Sequence, residues 1–218
     1  MDPILIDAFV TSFIALFVIV DPIGIAPVFA SLTQGTDKAH KRLMAIRGTV
    51  VGSLILLFFA WVGQPFLEGL GIGLDALRVA GGILLFVISF EMVMERRTDR
   101  KQDTADEIHE FFEDVSVFPI ALPLTAGPGA IATIILLMTR YEDNLAAQGM
   151  VIAGLGLTMV LTLITFLMAS KLMEFLGPTV NTVLTRVLGI ILAALAAQYV
   201  LSGLQGTFLP AAAAAAGA

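Results

Sequence analysis

The chain has 218 residues, of which 58% are hydrophobic and only 14% charged, and its mean hydropathy of +0.95 is far above that of a water-soluble domain. The absence of cysteine excludes disulfide scaffolds, Fe–S ligation and thiol relays, and the two histidines, His40 and His109, fall in connecting segments, so no metal or cofactor is expected inside the membrane. A net charge of −6 says little about orientation, because acidic residues contribute weakly to it.

Apolar runs of about 20 residues, the length needed to cross ~30 Å of hydrocarbon, are drawn at 5–33, 43–63, 72–94, 117–138, 149–172 and 182–204. They are continuous rather than alternating and twice as long as a barrel strand, so the predicted fold is an all-α membrane protein of six transmembrane helices in one domain, 1–204. The front end, "MDPILIDAF", carries Asp2 and Asp7 but no Lys or Arg, which argues against a cleaved leader. In span two Gly48 and Gly52 form a GxxxG; Gly81 and Gly82, Gly154 and Gly156, and Gly189 with Ala193 and Ala197 give small packing faces elsewhere. Between spans three and four, residues 95–116 are read as a charge-rich, solvated connector. The Ala-rich tail, 205–218, is too short for an independent helix and is expected to be disordered.

Assigning successive loops to alternate sides places ten of the 12 Lys and Arg on one side, leaving Arg78 and Arg140 on the other. Both termini are therefore expected to face away from the cytoplasm.

The two halves echo one another. Pro22 lies 106 residues before Pro128, and at the same interval "LEGLG", Leu67 to Gly71, falls on "MEFLG", Met173 to Gly177. Two residues out of that register, "RVAGGILL" from Arg78 matches "RVLGIILA" from Arg186. Three spans per half force the second copy to enter from the opposite side, giving two inverted three-helix repeats, about 1–94 and 117–204.

Span one carries "IVDPIGIAP", Ile19 to Pro27, and span four carries "TAGPGA", Thr125 to Ala130. Proline has no N–H and clashes with the preceding turn, so helices 1 and 4 are expected to break. Asp21 lies about 24 Å along its span, near the midplane. A half-helix beginning there aims free N–H groups at a carboxylate, while the carbonyls ending the preceding half suit an ammonium, so the two breaks together would fit a zwitterion such as an amino acid. The candidate substrate-binding residues are Asp21, Pro22, Gly24, Pro27, Thr125, Gly127, Pro128, Gly129 and Thr133, and Asp21 is also the candidate for a coupling proton or Na+. Two plainer readings stand beside this one: proline kinks that only shape the helices, and an Asp21 that only caps. Arg78 and Arg186 are expected to snorkel, and Asn181 and Gln198 are candidates for lining a path.

At these two motifs, "FVIVDPIGIAPVFASLT" (17–33) and "PIALPLTAGPGAIATIILL" (119–137), the sequence resembles the MarC family of bacterial and archaeal membrane proteins, also called NAAT for neutral amino acid transport. The resemblance implies a six-helix inner-membrane protein, with some members associated with small neutral amino acids such as glycine and alanine. Several relatives carry Asn after the DPxG glycine, where this chain has Ile25. The resulting expectation is a secondary transporter or exporter of small neutral amino acids or related metabolites, with a passive channel as the alternative. No nucleotide-binding motif is present, so any energy source would be an ion or proton gradient, and no nucleophile with its base can be assembled, so an enzyme is not expected; nor is a nucleic-acid partner.

Overall fold

The computed structural model describes residues 2–33, 35–94 and 125–216, and every described element is helical. The connector 95–116 and the first part of the expected fourth span, 117–124, lie outside the described residues. Helix α1 (Pro3–Val20) starts with Pro3 at its first position and the Asp2 carboxylate accepting the Ile4 N–H at 3.2 Å. Asp21 alone separates it from α2 (Pro22–Leu32). Helix α3 (Lys38–Gly69) is capped by Asp37, which accepts from the His40 N–H at 2.9 Å, and α4 (Leu74–Val93) follows Gly73. Helix α5 (Pro128–Arg140) again opens on proline, and α6 (Leu145–Leu167) is capped by Asn144. Helix α7 (Ala169–Ala216) bends at Gly177, whose φ of 66° is costly for any residue with a Cβ.

Among the described residues five apolar segments are long enough to cross a membrane: Pro3–Leu32, Lys38–Gly69, Leu74–Val93, Leu145–Leu167 and Thr179–Phe208; α5 is shorter. Helix α7 runs on into the alanine-rich segment as far as Ala216. That segment continues an established helix, so no new nucleus is needed, and alanine has the highest helix propensity.

Apolar side chains cover the outside as well as the inside. On α3 the exposed stripe is Val50, Leu54, Phe58 and Trp61, while Gly48, Gly52, Leu56, Ala60 and Gly63 are buried. Bulk facing outward and small residues facing inward is the arrangement of helices that pack in lipid, where close backbone approach replaces the hydrophobic drive. The α4–α7 pair shows it best. A Cβ added at Gly82 would stand 2.8 Å from the Ala196 carbonyl oxygen, and one at Gly189 would stand 3.2 Å from that of Ser89. At one end of the pair Gly203 packs on Asp75, and at the other Gly189 meets Met92, so the two helices run antiparallel. Likewise Gly154 of α6 lies against Ser12 of α1, and Gly63 of α3 against Ile135 of α5.

The two ends of the bundle differ in chemistry. At the end holding the α1 N-terminus, Tyr141 donates its phenol hydrogen to Asp7 at 2.7 Å, Arg140 pairs with Asp7 at 3.4 Å, and Gln64 donates to Glu142 at 2.9 Å. Burial, and then the hydrogen bond to Asp7, pushes the Tyr141 phenol up to about 12. At the opposite end the α2 C-terminus, the α3 N-terminus and the α6–α7 junction meet, over a stacked pair of buried rings, Phe29 and Phe166, with centroids 4.6 Å apart.

Candidate functional site

Proline disfavours right-handed helical geometry in the residue before it, so Pro22 requires Asp21 to leave the helix. Asp21 adopts φ 55° and ψ 63°, and it is the one non-glycine residue among those described with positive φ. Asp and Asn tolerate this region better than other side-chain-bearing residues. From that position a single residue serves two helices. Its N–H donates to the Phe17 carbonyl at 2.9 Å and closes α1; its carbonyl accepts from the Ile25 N–H at 3.1 Å, and its carboxylate accepts from the Gly24 N–H at 3.0 Å, opening α2.

Gly24 is required by the same geometry. A Cβ there would lie 2.6 Å from Asp21 Cγ, closer still to one carboxylate oxygen, so no other residue fits while the cap is made. Pro22 supplies no N–H to the Val18 carbonyl, and Pro27, inside α2, supplies none to that of Ile23. Both carbonyls therefore lack their intrahelical donor. Asp21 is 2% exposed, and an ionised carboxylate at such depth costs about 2.5 to 3.5 kcal/mol on insertion scales. The α2 N-terminus offsets part of this through its free N–H groups and dipole.

The second motif starts α5 in a related way. Gly127 is extended (φ −71°, ψ 167°) and precedes Pro128, and the Ile131 N–H donates to its carbonyl at 3.0 Å, but no side chain caps the helix. Thr125 and Ala126 are fully buried, whereas Pro128 is exposed. Gly129 is where the two motifs touch: a Cβ on it would meet Ile88 at 2.7 Å and Leu85 at 3.2 Å of α4, and Ile19 of α1 at 3.6 Å. One turn further on, Thr133 is fully buried and its hydroxyl has no hydrogen-bond partner among the described residues.

Of the residues singled out in the sequence, Asp21, Pro22 and Gly24 thus form one buried turn, Gly129 abuts the end of α1 that leads into it, and Pro27 is half-buried in the next turn of α2. Asn181 is 7% exposed, with its amide oxygen unpartnered among the described residues. Gln198 is exposed and donates to Ser202 at 3.2 Å, and Arg78 pairs with Asp75 at 2.7 Å. Ser12 and Thr49, which the sequence reading did not single out, are buried with hydroxyls that also lack partners among the described residues. The only sign of them in the sequence is a hydroxyl within an apolar run. Among the described residues no three His, Cys, Asp or Glu side chains come together as a metal site.

The sequence model of the family described as "MarC family integral membrane protein" matches residues 6–208. Similar proteins include a UPF0056 membrane protein of Methanocaldococcus jannaschii, 36% identical over 205 residues that cover 92% of this chain and 98% of the relative. The UPF0056 membrane protein YhcE of Escherichia coli is 34% identical, with 90% of this chain and 91% of the relative covered. YvbG of Bacillus subtilis, another UPF0056 membrane protein, is 33% identical, with 90% and 93% covered. No solved structure matches the chain.

Proposed function

The chain belongs to the MarC family of integral membrane proteins, and from that premise we propose that it is a secondary transporter or exporter of small neutral amino acids or closely related small metabolites. The observation that carries this reading is Asp21: a carboxylate 2% exposed, held in a left-handed turn between two helices, at the end of α1 that abuts Gly129 of the second motif. The proposed site lies between the starts of α2 and α5. Their N-terminal N–H groups attract a carboxylate, while Asp21 and the carbonyls of Val18 and Ile23 attract an ammonium group. In this reading the Thr133 hydroxyl, buried without a hydrogen-bond partner among the described residues, adds a donor or acceptor to the proposed site.

In this reading the six spans form two inverted repeats with helices 1 and 4 broken. Equal spacing supports it: Pro22 and Pro128 each start a helix, and 49 residues beyond each stands a glycine of positive φ, Gly71 (72°) and Gly177 (66°). The antiparallel pairing of α4 with α7, which carry the "RVAGGILL" and "RVLGIILA" echoes, is what an inverted repeat requires. Asp21 is the candidate to exchange a proton or bind Na+ during transport. The same reading puts the protein in the cell (inner) membrane with both termini outside, and the gathering of Lys38, Lys41, Arg42 and Lys171 at the end opposite the α1 N-terminus supports that orientation.

Counterflow of labelled alanine and glycine in proteoliposomes tests the proposal. Saturable counterflow, lost in Gly127→Leu, is expected; linear flux without saturation would replace the carrier with a channel. Asp21→Asn should alter the dependence on pH or sodium, and transport with both dependences unchanged would remove Asp21 from coupling.

A further inference from the structure

At the end of the bundle remote from the α1 N-terminus, a cleft of about 710 Å³ opens between the α2–α3 turn and the α6–α7 junction. That volume lies in the range of small-molecule sites, roughly 300–1,000 Å³. Its floor is apolar, made by the Phe29–Phe166 stack, and its rim carries four cations: Lys38, Lys41 and Arg42 from α3, and Lys171 from α7. Among the described residues no carboxylate lines it. Asp37, the acid nearest in sequence, spends its side chain on the His40 N–H.

Topology alone asks only that cations lie on the cytoplasmic side, at any place on that surface. It does not ask them to converge from two helices more than a hundred residues apart in sequence, nor to be left unpaired. At the other end Arg78 and Arg140 each have a carboxylate, Asp75 at 2.7 Å and Asp7 at 3.4 Å. Among the described residues none of the four cleft cations has one. Like charges gathered around one opening repel each other, and an anion between them relieves that repulsion.

The geometry points to an anion-binding cleft that takes a phosphate or phosphodiester group at this end of the bundle. The four cations hold the phosphate oxygens. The Phe29–Phe166 floor and Leu167, which is 49% exposed on the rim, receive the apolar part of the same ligand. An anionic phospholipid headgroup and a soluble phosphate ester share this chemistry. The inference goes beyond the transport reading and does not depend on it.

The test uses the full chain in nanodiscs of phosphatidylcholine, with melting followed as phosphatidylglycerol replaces part of the lipid or as inorganic phosphate is titrated in. Saturable stabilisation by phosphatidylglycerol alone assigns the cleft to a lipid headgroup, and stabilisation by phosphate assigns it to a soluble anion; either supports the cleft. At about 1 kcal/mol per surface cation, Lys41→Gln with Arg42→Gln should weaken the apparent affinity about thirtyfold. Arg47→Gln, on the same helix but outside the cleft, should change it little. The charge-preserving pair Lys41→Arg with Arg42→Lys keeps binding and separates loss of charge from loss of fold. No stabilisation of the wild type by either probe would overturn the inference, as would equal weakening by Arg47→Gln and the double variant.

Discussion

Replacing Gly24 by alanine tests the construction of the Asp21 turn, because ordinary helix energetics predict the opposite sign. Alanine in a helix is favoured over glycine by about 1 kcal/mol, so an exposed site would be stabilised. Here the added Cβ would stand 2.6 Å from Asp21 Cγ and drive the carboxylate off the Gly24 N–H. The lost cap costs about 1 kcal/mol, and taking one donor from a buried carboxylate adds about 2.5 kcal/mol. The net is a destabilisation of roughly 2 to 3 kcal/mol, or a fall in melting temperature of about 5 to 10 °C for a chain of this size. Asp21→Asn is the partner experiment: asparagine caps as well as aspartate and tolerates the left-handed region, so its melting temperature should stay at or above that of wild type. Thermal unfolding in detergent by intrinsic fluorescence reads both variants. A Gly24→Ala protein melting within a degree of wild type would refute the reasoning.

Two further outcomes follow from the packing and from the charged end. Gly82→Leu inserts a side chain where Ala196 O and Val200 N already stand 2.8 and 2.9 Å from a Cβ position; because backbone cannot yield as a flexible side chain does, a loss of at least about 1 to 3 kcal/mol is expected, and a wild-type melting temperature would show that α4 and α7 do not pack this closely. Tyr141 and Tyr199 are the only tyrosines, so ultraviolet titration of Tyr199→Phe reports Tyr141 alone, with an expected midpoint near 12 in place of 10. The stability this phenol contributes is complete below pH 10 and lost as pH rises through about 12; a midpoint near 10 would show that the contact with Asp7 is not made.

The parts of the architecture legible in the sequence depend on signals that act within a turn or two. Hydropathy marked five of the spans because a bilayer demands a minimum length of apolar helix, and the prolines marked the starts of α2 and α5 because a missing N–H has the same effect in any context. The capping role of Asp21 was legible for that reason too, since the Gly24 amide it serves is three residues away. The need for glycine at position 24 was not, because it follows from where the Asp21 carboxylate sits once the turn has formed. Contacts between distant segments were hidden as well. Tyr141 reaches Asp7 across 134 residues, and the cations of α3 and Lys171 of α7 meet only when the helices assemble. Such pairings are selected by which small residues let which backbones approach, a property of two surfaces at once.

The matched 49-residue intervals from Pro22 to Gly71 and from Pro128 to Gly177 act as a ruler inside each half. Adding or deleting one residue inside a helix of either interval would turn the rest of that helix by about 100° and carry its small face out of contact. Variation in length should therefore be intolerable within these helices and should collect in the connections between them, where the chain can change size without turning any helix away from its neighbour.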